Sequence, residues 1–186
     1  MNWARLYHSV RMCLITSAIK RAEYIKKNSI FRHMGDNCMV MFRKIPLYPK
    51  LISIGDNVWI ASNVHFTPHD VIHQMLNNLY DDYKFQENIG CIQIKDNCFI
   101  GAHTTILPDV SIGPNVVVAA GSLVNKSLDP NGVYGGVPAK YICSLEELVN
   151  KRKTENELVV KKNNGELDSE TVEKCWERFL NNQQVR

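Results

Sequence analysis

At 186 residues, 45% hydrophobic and 22% charged, the chain is long enough for one domain with a core of its own. Its net charge of +3 comes from interspersed acids and bases with no basic stripe and interleaved aromatics, which argues against nucleic acid and leaves only a mild affinity for anions. No apolar run has the length of a membrane span.

The chain opens with "RMCLITSAIKR" at residues 11–21, which resembles a short leader core. Its apolar run is too brief for that role and lacks a small-residue exit. Trp3, Leu6, Tyr7, Val10, Leu14 and Ala18 instead recur at helical spacing, so residues 2 to about 27 read as one amphipathic helix. Its apolar face is expected to pack on this chain or its oligomer, with peripheral attachment to a membrane as the alternative.

The middle of the chain repeats in sixes: "IGDNVW", "IASNVH", "FTPHDV", then after a gap "IKDNCF", "IGAHTT", "ILPDVS", "IGPNVV", "VAAGSL" and "VNKSLD". The opening residue and the fifth are apolar or small and lie two apart across successive units, so they point the same way on a short strand. Between them stand Gly, Asp, Asn and Pro, which tolerate positive φ or preset a bend. A period of six with a turn in each unit must wind into a β-helix. "MGDNCM" at residues 34–39 reads as an earlier unit. Of the six cysteines, Cys38 and Cys98 fall in inward slots and no CxxC pair occurs, so they read as free thiols in a reducing, cytoplasmic setting.

One stretch breaks the pattern. His69 falls at a corner that asparagine occupies elsewhere, and Asp70 follows in a slot reserved for apolar or small side chains. An unpaired carboxylate there would be costly, so either the backbone leaves the prism or Asp70 has a partner. Residues 71–87 then interrupt the repeat as a loop long enough to need a reason of its own. His69 has a bland reading too, as a residue suited to a left-handed corner, and for His103 that reading is preferred. At the chain's end, Ser144 with Glu147 forms an S-x-x-E capping box and "KNNG" marks a break. Val172, Cys175, Trp176, Phe179 and Leu180 then share one helix face.

With "IASNVHFTPHDVIHQ", "IGAHTTI", "VAAGSLV" and "GGVPAK", residues 30 to 142 resemble the hexapeptide-repeat acyltransferases, in particular the galactoside and maltose O-acetyltransferase group. They are closer still to enzymes that acetylate sugars of bacterial surface polysaccharides. The resemblance implies a mainly β fold: a left-handed parallel β-helix over residues 31–142 with loop 71–87. A helical segment over residues 1–30 precedes it and a helical extension over 143–186 follows. It further implies a homotrimer with intersubunit sites, acetyl-CoA as co-substrate, a saccharide acceptor and no metal.

The resemblance makes His69 the base that removes the acceptor's hydroxyl proton, and imidazole chemistry at neutral pH suits that task. His73, within the loop, and His65, outward on a strand, are rivals or acceptor-site residues. Asp70 either orients an imidazole or holds an acceptor hydroxyl. Along the donor the resemblance puts Ala102 and Ala120 by the pantetheine arm, Asn125 and Lys126 near the nucleotide, and Lys140 toward the adenosine phosphates. Threonine is common in relatives at position 125 and arginine at position 140. An aminosugar N-acetyltransferase and an antibiotic O-acetyltransferase fit the same pattern. A γ-type carbonic anhydrase fits it less well, since no histidine follows His103, and the intact His69, loop and "GGVPAK" count against a non-enzymatic scaffold.

Overall fold

The computed structural model describes residues 3–155, 160–163 and 165–184. It comprises two units, Met1–Glu146 and Glu147–Arg186.

The first unit begins with two helices where the sequence suggested one, α1 (Trp3–Leu14) and α2 (Ala18–Lys27). The break falls at Thr16-Ser17, whose hydroxyls compete with helical bonding. Ser17 caps α2, its Oγ accepting the Lys20 N–H at 3.3 Å. The expected burial of the α1 apolar face is not found. Trp3 (71% exposed), Tyr7, Val10 and Leu14 stand in solvent, and the helix is held by the buried Met12 and by bonds from its other side. The Tyr24 hydroxyl bonds to His8 Nδ1 at 2.8 Å and the Ile45 N–H donates to Ser9 Oγ at 3.1 Å.

Short strands then wind in coils. β1 (His33–Met34) and β2 (Met39–Val40) form a partial coil. Three full coils follow: β3 (Ile52–Ile54), β4 (Trp59–Ile60), β5 (His65–Phe66); β6 (Ile92–Ile94), β7 (Phe99–Ile100), β8 (Thr105–Ile106); and β9 (Val110–Ile112), β10 (Val117–Val118), β11 (Leu123–Val124). Between the first and second full coils lies helix α3 (Ile72–Leu79), and the stack closes with β12 (Gly132–Gly135) and β13 (Lys140–Ser144). The strands line up as three sheets, β1-β3-β6-β9, β2-β4-β7-β10-β12-β13 and β5-β8-β11. All pairings in these sheets are parallel except β12 with β13.

Register explains the period of six. Ile54, Ile94 and Ile112 are aligned across one sheet, Ile60, Ile100 and Val118 across the second, and Phe66, Ile106 and Val124 across the third. All nine are buried, as are Val58, Val64, Cys98, Thr104, Val116 and Ser122 in the other inward slot. Each fully buried isoleucine contributes about 1.5–3 kcal/mol, so the core is strong for its width. Where the slot is polar the hydroxyl is used locally: Thr104 and Ser122 both donate to the Ala119 carbonyl, at 3.3 and 2.6 Å.

Corners are stacked too. Asn57, Asn97, Asn115 and Asn131 all have φ between +53° and +62°. Each side-chain amide donates to the next residue's Oδ1, at 3.0, 3.0 and 2.9 Å. A second ladder runs from the Asp36 N–H to Asp56 Oδ1 (2.7 Å) and from the Asp56 N–H to Asp96 Oδ1 (2.8 Å). Glycine at position 55 is required for it, because a Cβ there would run into the Asp96 carboxylate and backbone.

The second unit contains most of α4 (Leu145–Glu155), which starts directly after Ser144, and α5 (Ser169–Gln184). Between them lies a small antiparallel hairpin, β14 (Lys162–Asn163) with β15 (Glu166–Leu167), where the sequence suggested only a break. Asp168 caps α5 by accepting the Thr171 N–H at 2.8 Å. The apolar face of α5 forms as a helix face, but Trp176, Phe179 and Leu180 on it are half or more exposed.

Candidate functional site

Two edges of the sheet β5-β8-β11 carry the candidate residues. Along the edge that follows these strands lie His69, just beyond β5, and Asn125 and Lys126, just beyond β11. Along the edge that precedes them lie Ala102 and Ala120. The Gly121 N–H donates to the Ala102 carbonyl at 2.8 Å, which stacks the two alanine corners directly. The "GGVPAK" turn folds onto β11 and this corner: the Gly136 N–H donates to Ser122 Oγ (3.3 Å) and the Ala139 N–H to the Leu123 carbonyl (2.8 Å). Lys140 follows as the first residue of β13, exposed. Lys126 is also exposed, two strands from the His69 level, or about 10 Å at ordinary strand spacing.

After β5 the backbone leaves the prism, which answers the question Asp70 posed. Asp70 does not enter the core. Its Oδ1 accepts the Ile72 N–H at 3.0 Å and its Oδ2 accepts the Asn88 side-chain amide at 3.1 Å. Its own N–H donates to the Asn88 carbonyl (3.0 Å), and the Gly90 N–H donates to Pro68 (2.9 Å). The carboxylate thus ties the two feet of the excursion together and supports the first turn of α3. These bonds, Ile72 first and Asn88 second, hold its pKa below the usual carboxylate range. Neither His69 nor His73 bonds to it.

His69 forms an antiparallel bridge with Ile89. It is not among the left-handed corners, a set that includes Asn63, His103 and Asp109, so the conformational reason for a histidine applies to His103 and not to His69. The His69 ring meets Tyr48 edge-on, with centroids 5.3 Å apart at 81°. Its Nδ1 is enclosed and has no hydrogen-bond partner in the chain. His73, in the first turn of α3, pairs its Nε2 with the Gln74 side-chain amide at 2.9 Å, while its Nδ1, like that of His69, is enclosed without a partner. His65 points outward from β5.

Sequence reasoning missed Tyr48 and Glu87. The Tyr48 hydroxyl donates to Glu87 Oε2 at 2.8 Å, and this bond pushes the phenol's pKa up. Tyr48 comes from the connection between β2 and β3 and Glu87 from the returning foot of the excursion, so the pair clamps one side of the His69 ring. The only signal for it is that residues 41–51 interrupt the repeat. The excursion itself, expected as a loop, contains α3, braced by Asn77, whose side chain exchanges two bonds with the backbone of Phe85 at 3.0 and 2.8 Å. Among the described residues no three His, Cys, Asp or Glu side chains gather as a metal-binding group.

A family model described as "Bacterial transferase hexapeptide (six repeats)" matches residues 91–126. The galactoside O-acetyltransferase of Escherichia coli (strain K12) is 38% identical over 117 residues, covering 62% of this chain and 55% of that protein. A putative acetyltransferase of Staphylococcus aureus (strain Mu50) is 35% identical over 145 residues, covering 68% of this chain and 71% of that protein. The chain spans about half the length of the first curated relatives it matches, 55% and 56%. Among solved structures, a maltose O-acetyltransferase from Clostridium difficile 630 superposes with a TM-score of 0.54 at 26% identity, over 75% of this chain and 85% of that one. A galactoside acetyltransferase in complex with coenzyme A gives 0.53 at 26% identity, over 89% and 88%. Stacked six-residue coils, matching repeats and relatives covered over most of their length together establish that this chain belongs to the hexapeptide-repeat acyltransferase family.

Proposed function

We propose that the protein transfers an acetyl group from acetyl-CoA to a hydroxyl of a saccharide, in a bacterial surface polysaccharide or its precursor, with His69 as the general base. The working unit in this reading is a homotrimer of left-handed coils, cytoplasmic, built on a β-helix domain over residues 31–142 between two helical segments. The observation that carries it is the setting of His69. It is held at the foot of the excursion, against Tyr48, for no conformational reason, with an enclosed ring nitrogen that finds no partner within one chain.

The step balances simply. The acceptor O–H gives its proton to the imidazole as its oxygen attacks the thioester carbonyl; the C–S bond breaks, and the leaving thiolate takes the proton back from the imidazolium. The hydroxyl becomes acidic only as its oxygen bonds to the carbonyl carbon, and the ring ends the cycle in the state in which it began. The donor would lie along the stacked alanine corners, where small side chains let an extended arm approach the backbone, with Lys126 and Lys140 meeting its phosphates as point charges. The coenzyme A bound by the galactoside acetyltransferase neighbour supports this choice of donor. The naming of relatives as galactoside and maltose O-acetyltransferases supports the acceptor class.

Acetyl transfer from acetyl-CoA to a panel of saccharides, read as free thiol released, tests the reading. His69→Ala should lower kcat by roughly 10²–10⁴ while the KM for acetyl-CoA changes little. Undiminished turnover in a folded variant would remove His69 from the mechanism.

A further inference from the structure

A groove of about 580 Å³ runs beside β5. Four basic side chains line it, Arg5, Arg43, Lys44 and His65, and no aspartate or glutamate is among its lining residues. In a chain with 22 basic and 19 acidic residues, three permanent cations around one concavity without a carboxylate are a local excess. They converge from separate places: Arg5 from α1, Arg43 and Lys44 from the connection after β2, and His65 from β5. Arg43 is pinned there, its Nη1 donating to the Cys13 carbonyl at 2.7 Å. That uses one of the five N–H groups of a planar fork suited to phosphate oxygens. Ser62 and Asn63 add short polar groups to the wall.

The groove also leads toward the candidate base. Leu47 lines it, and the next residue is Tyr48, whose ring abuts His69. His65 precedes His69 by four residues, about 13 Å of extended chain. Tyr48 adjoins Leu47 and His69 lies three residues after Phe66, so both stand just outside its lining along the chain.

We propose that this groove holds the anionic part of the acceptor, a phosphate or diphosphate carried by the saccharide, while a hydroxyl farther along the same molecule reaches His69. The assignment deepens the acyl-transfer reading and, for the identity of the ligand as acceptor, rests on it. A phosphate would engage the remaining N–H groups of the Arg43 fork and the neighbouring Lys44 ammonium together, which a neutral sugar would not do. Cations so gathered also steer an anionic substrate to the site at low salt.

The test uses the full chain saturated with coenzyme A, so that the donor's own phosphate positions are filled, and uridine diphosphate as probe in calorimetric titration. Binding is expected, weakening with added salt and by roughly tenfold in Lys44→Glu, with a smaller loss in Lys44→Gln. Lys44 is exposed, and unchanged thermal midpoints verify that both variants fold. Absent binding, binding indifferent to Lys44, or binding displaced by coenzyme A overturns the proposal. In the transfer assay a free hexose, its 1-phosphate and its uridine diphosphate derivative separate the sources of the phosphate. Preference for either phosphorylated form supports the proposal and says which it is, and equal use of the free hexose overturns it. If none is acetylated while the Lys44-dependent binding persists, the acyl-transfer reading fails and the anion groove stands.

Discussion

The stacked coils and the feet of the excursion solve the same problem, satisfying a bent backbone, in opposite ways. In the coils each corner is completed by the coil beside it: Asn57 passes a bond to Asn97, Asn97 to Asn115 and Asn115 to Asn131. At residues 67–91 no bond repeats from coil to coil: Asp70 engages Ile72 and Asn88, Tyr48 reaches Glu87 from outside the segment, and ring nitrogens of His69 and His73 are left without partners. Repetition spreads stability over many equivalent contacts, whereas the irregular segment gives each side chain a separate task. Loss of one member should therefore be a stability event in the first region and an activity event in the second.

The largest expected effect tests that division directly. His69→Ala should take away roughly 3–5 kcal/mol of transition-state stabilisation and leave the thermal midpoint within a degree or two of wild type. A large fall in midpoint would mean that His69 is structural and would break the comparison. Next comes Ile100→Ala in the middle of the second sheet's ladder, fully buried, expected to cost about 2–5 kcal/mol in denaturant unfolding with no specific change in KM. Asn97→Ala should cost less, about 1–3 kcal/mol, because it breaks two rungs and puts an alanine at φ +57°. Asn97→Gly should recover the backbone part and leave only the lost rungs.

Smaller effects are expected around the base. Tyr48→Phe keeps the ring against His69 but removes the bond to Glu87. We expect kcat to fall a few-fold with the KM for acetyl-CoA unchanged; a rise in that KM instead would place Tyr48 with the donor. Smallest is a pH effect at Asp70. Because its folded-state pKa is depressed, its contribution is complete above the unfolded value and lost as pH falls through the lower folded value. Amide exchange over residues 70–90 should therefore quicken only below about pH 4. In Asp70→Asn that acid-induced step should vanish.

The coils were legible because their chemistry is forced. An aliphatic residue fills the axis at Ile54, Ile60 and Ile100, and Asn, Asp, His or Gly stands at the corners where φ turns positive, so the period of six is written twice over. His69 was legible for the opposite reason, as a departure from that rule. Tyr48, Glu87 and the basic groove were not, since they depend on how the connection at residues 41–51 and the excursion fold back, and no periodicity governs either. Asp70 illustrates the limit. Its position predicted that something unusual must happen, but only the fold shows that the backbone itself moves away and that Asn88, 18 residues on, is the partner. The apolar face of α1 was legible as a pattern, and within one chain most of it stays uncovered.

A parallel stack has no natural end, since each coil offers the next an unpaired row of peptide groups. At one edge of the second sheet the chain reverses, β13 running antiparallel to β12, so that direction of travel is spent. At the other edge the buried Arg21 supplies what an absent strand would have: its Nε donates to the Val40 carbonyl at 2.8 Å, and its Nη1 to the carbonyls of Ile15 and Thr16 at 2.6 and 3.0 Å. A single side chain thus acts as a full stop. It occupies a carbonyl that a further strand would otherwise use, which makes that edge a poorer template for end-to-end pairing.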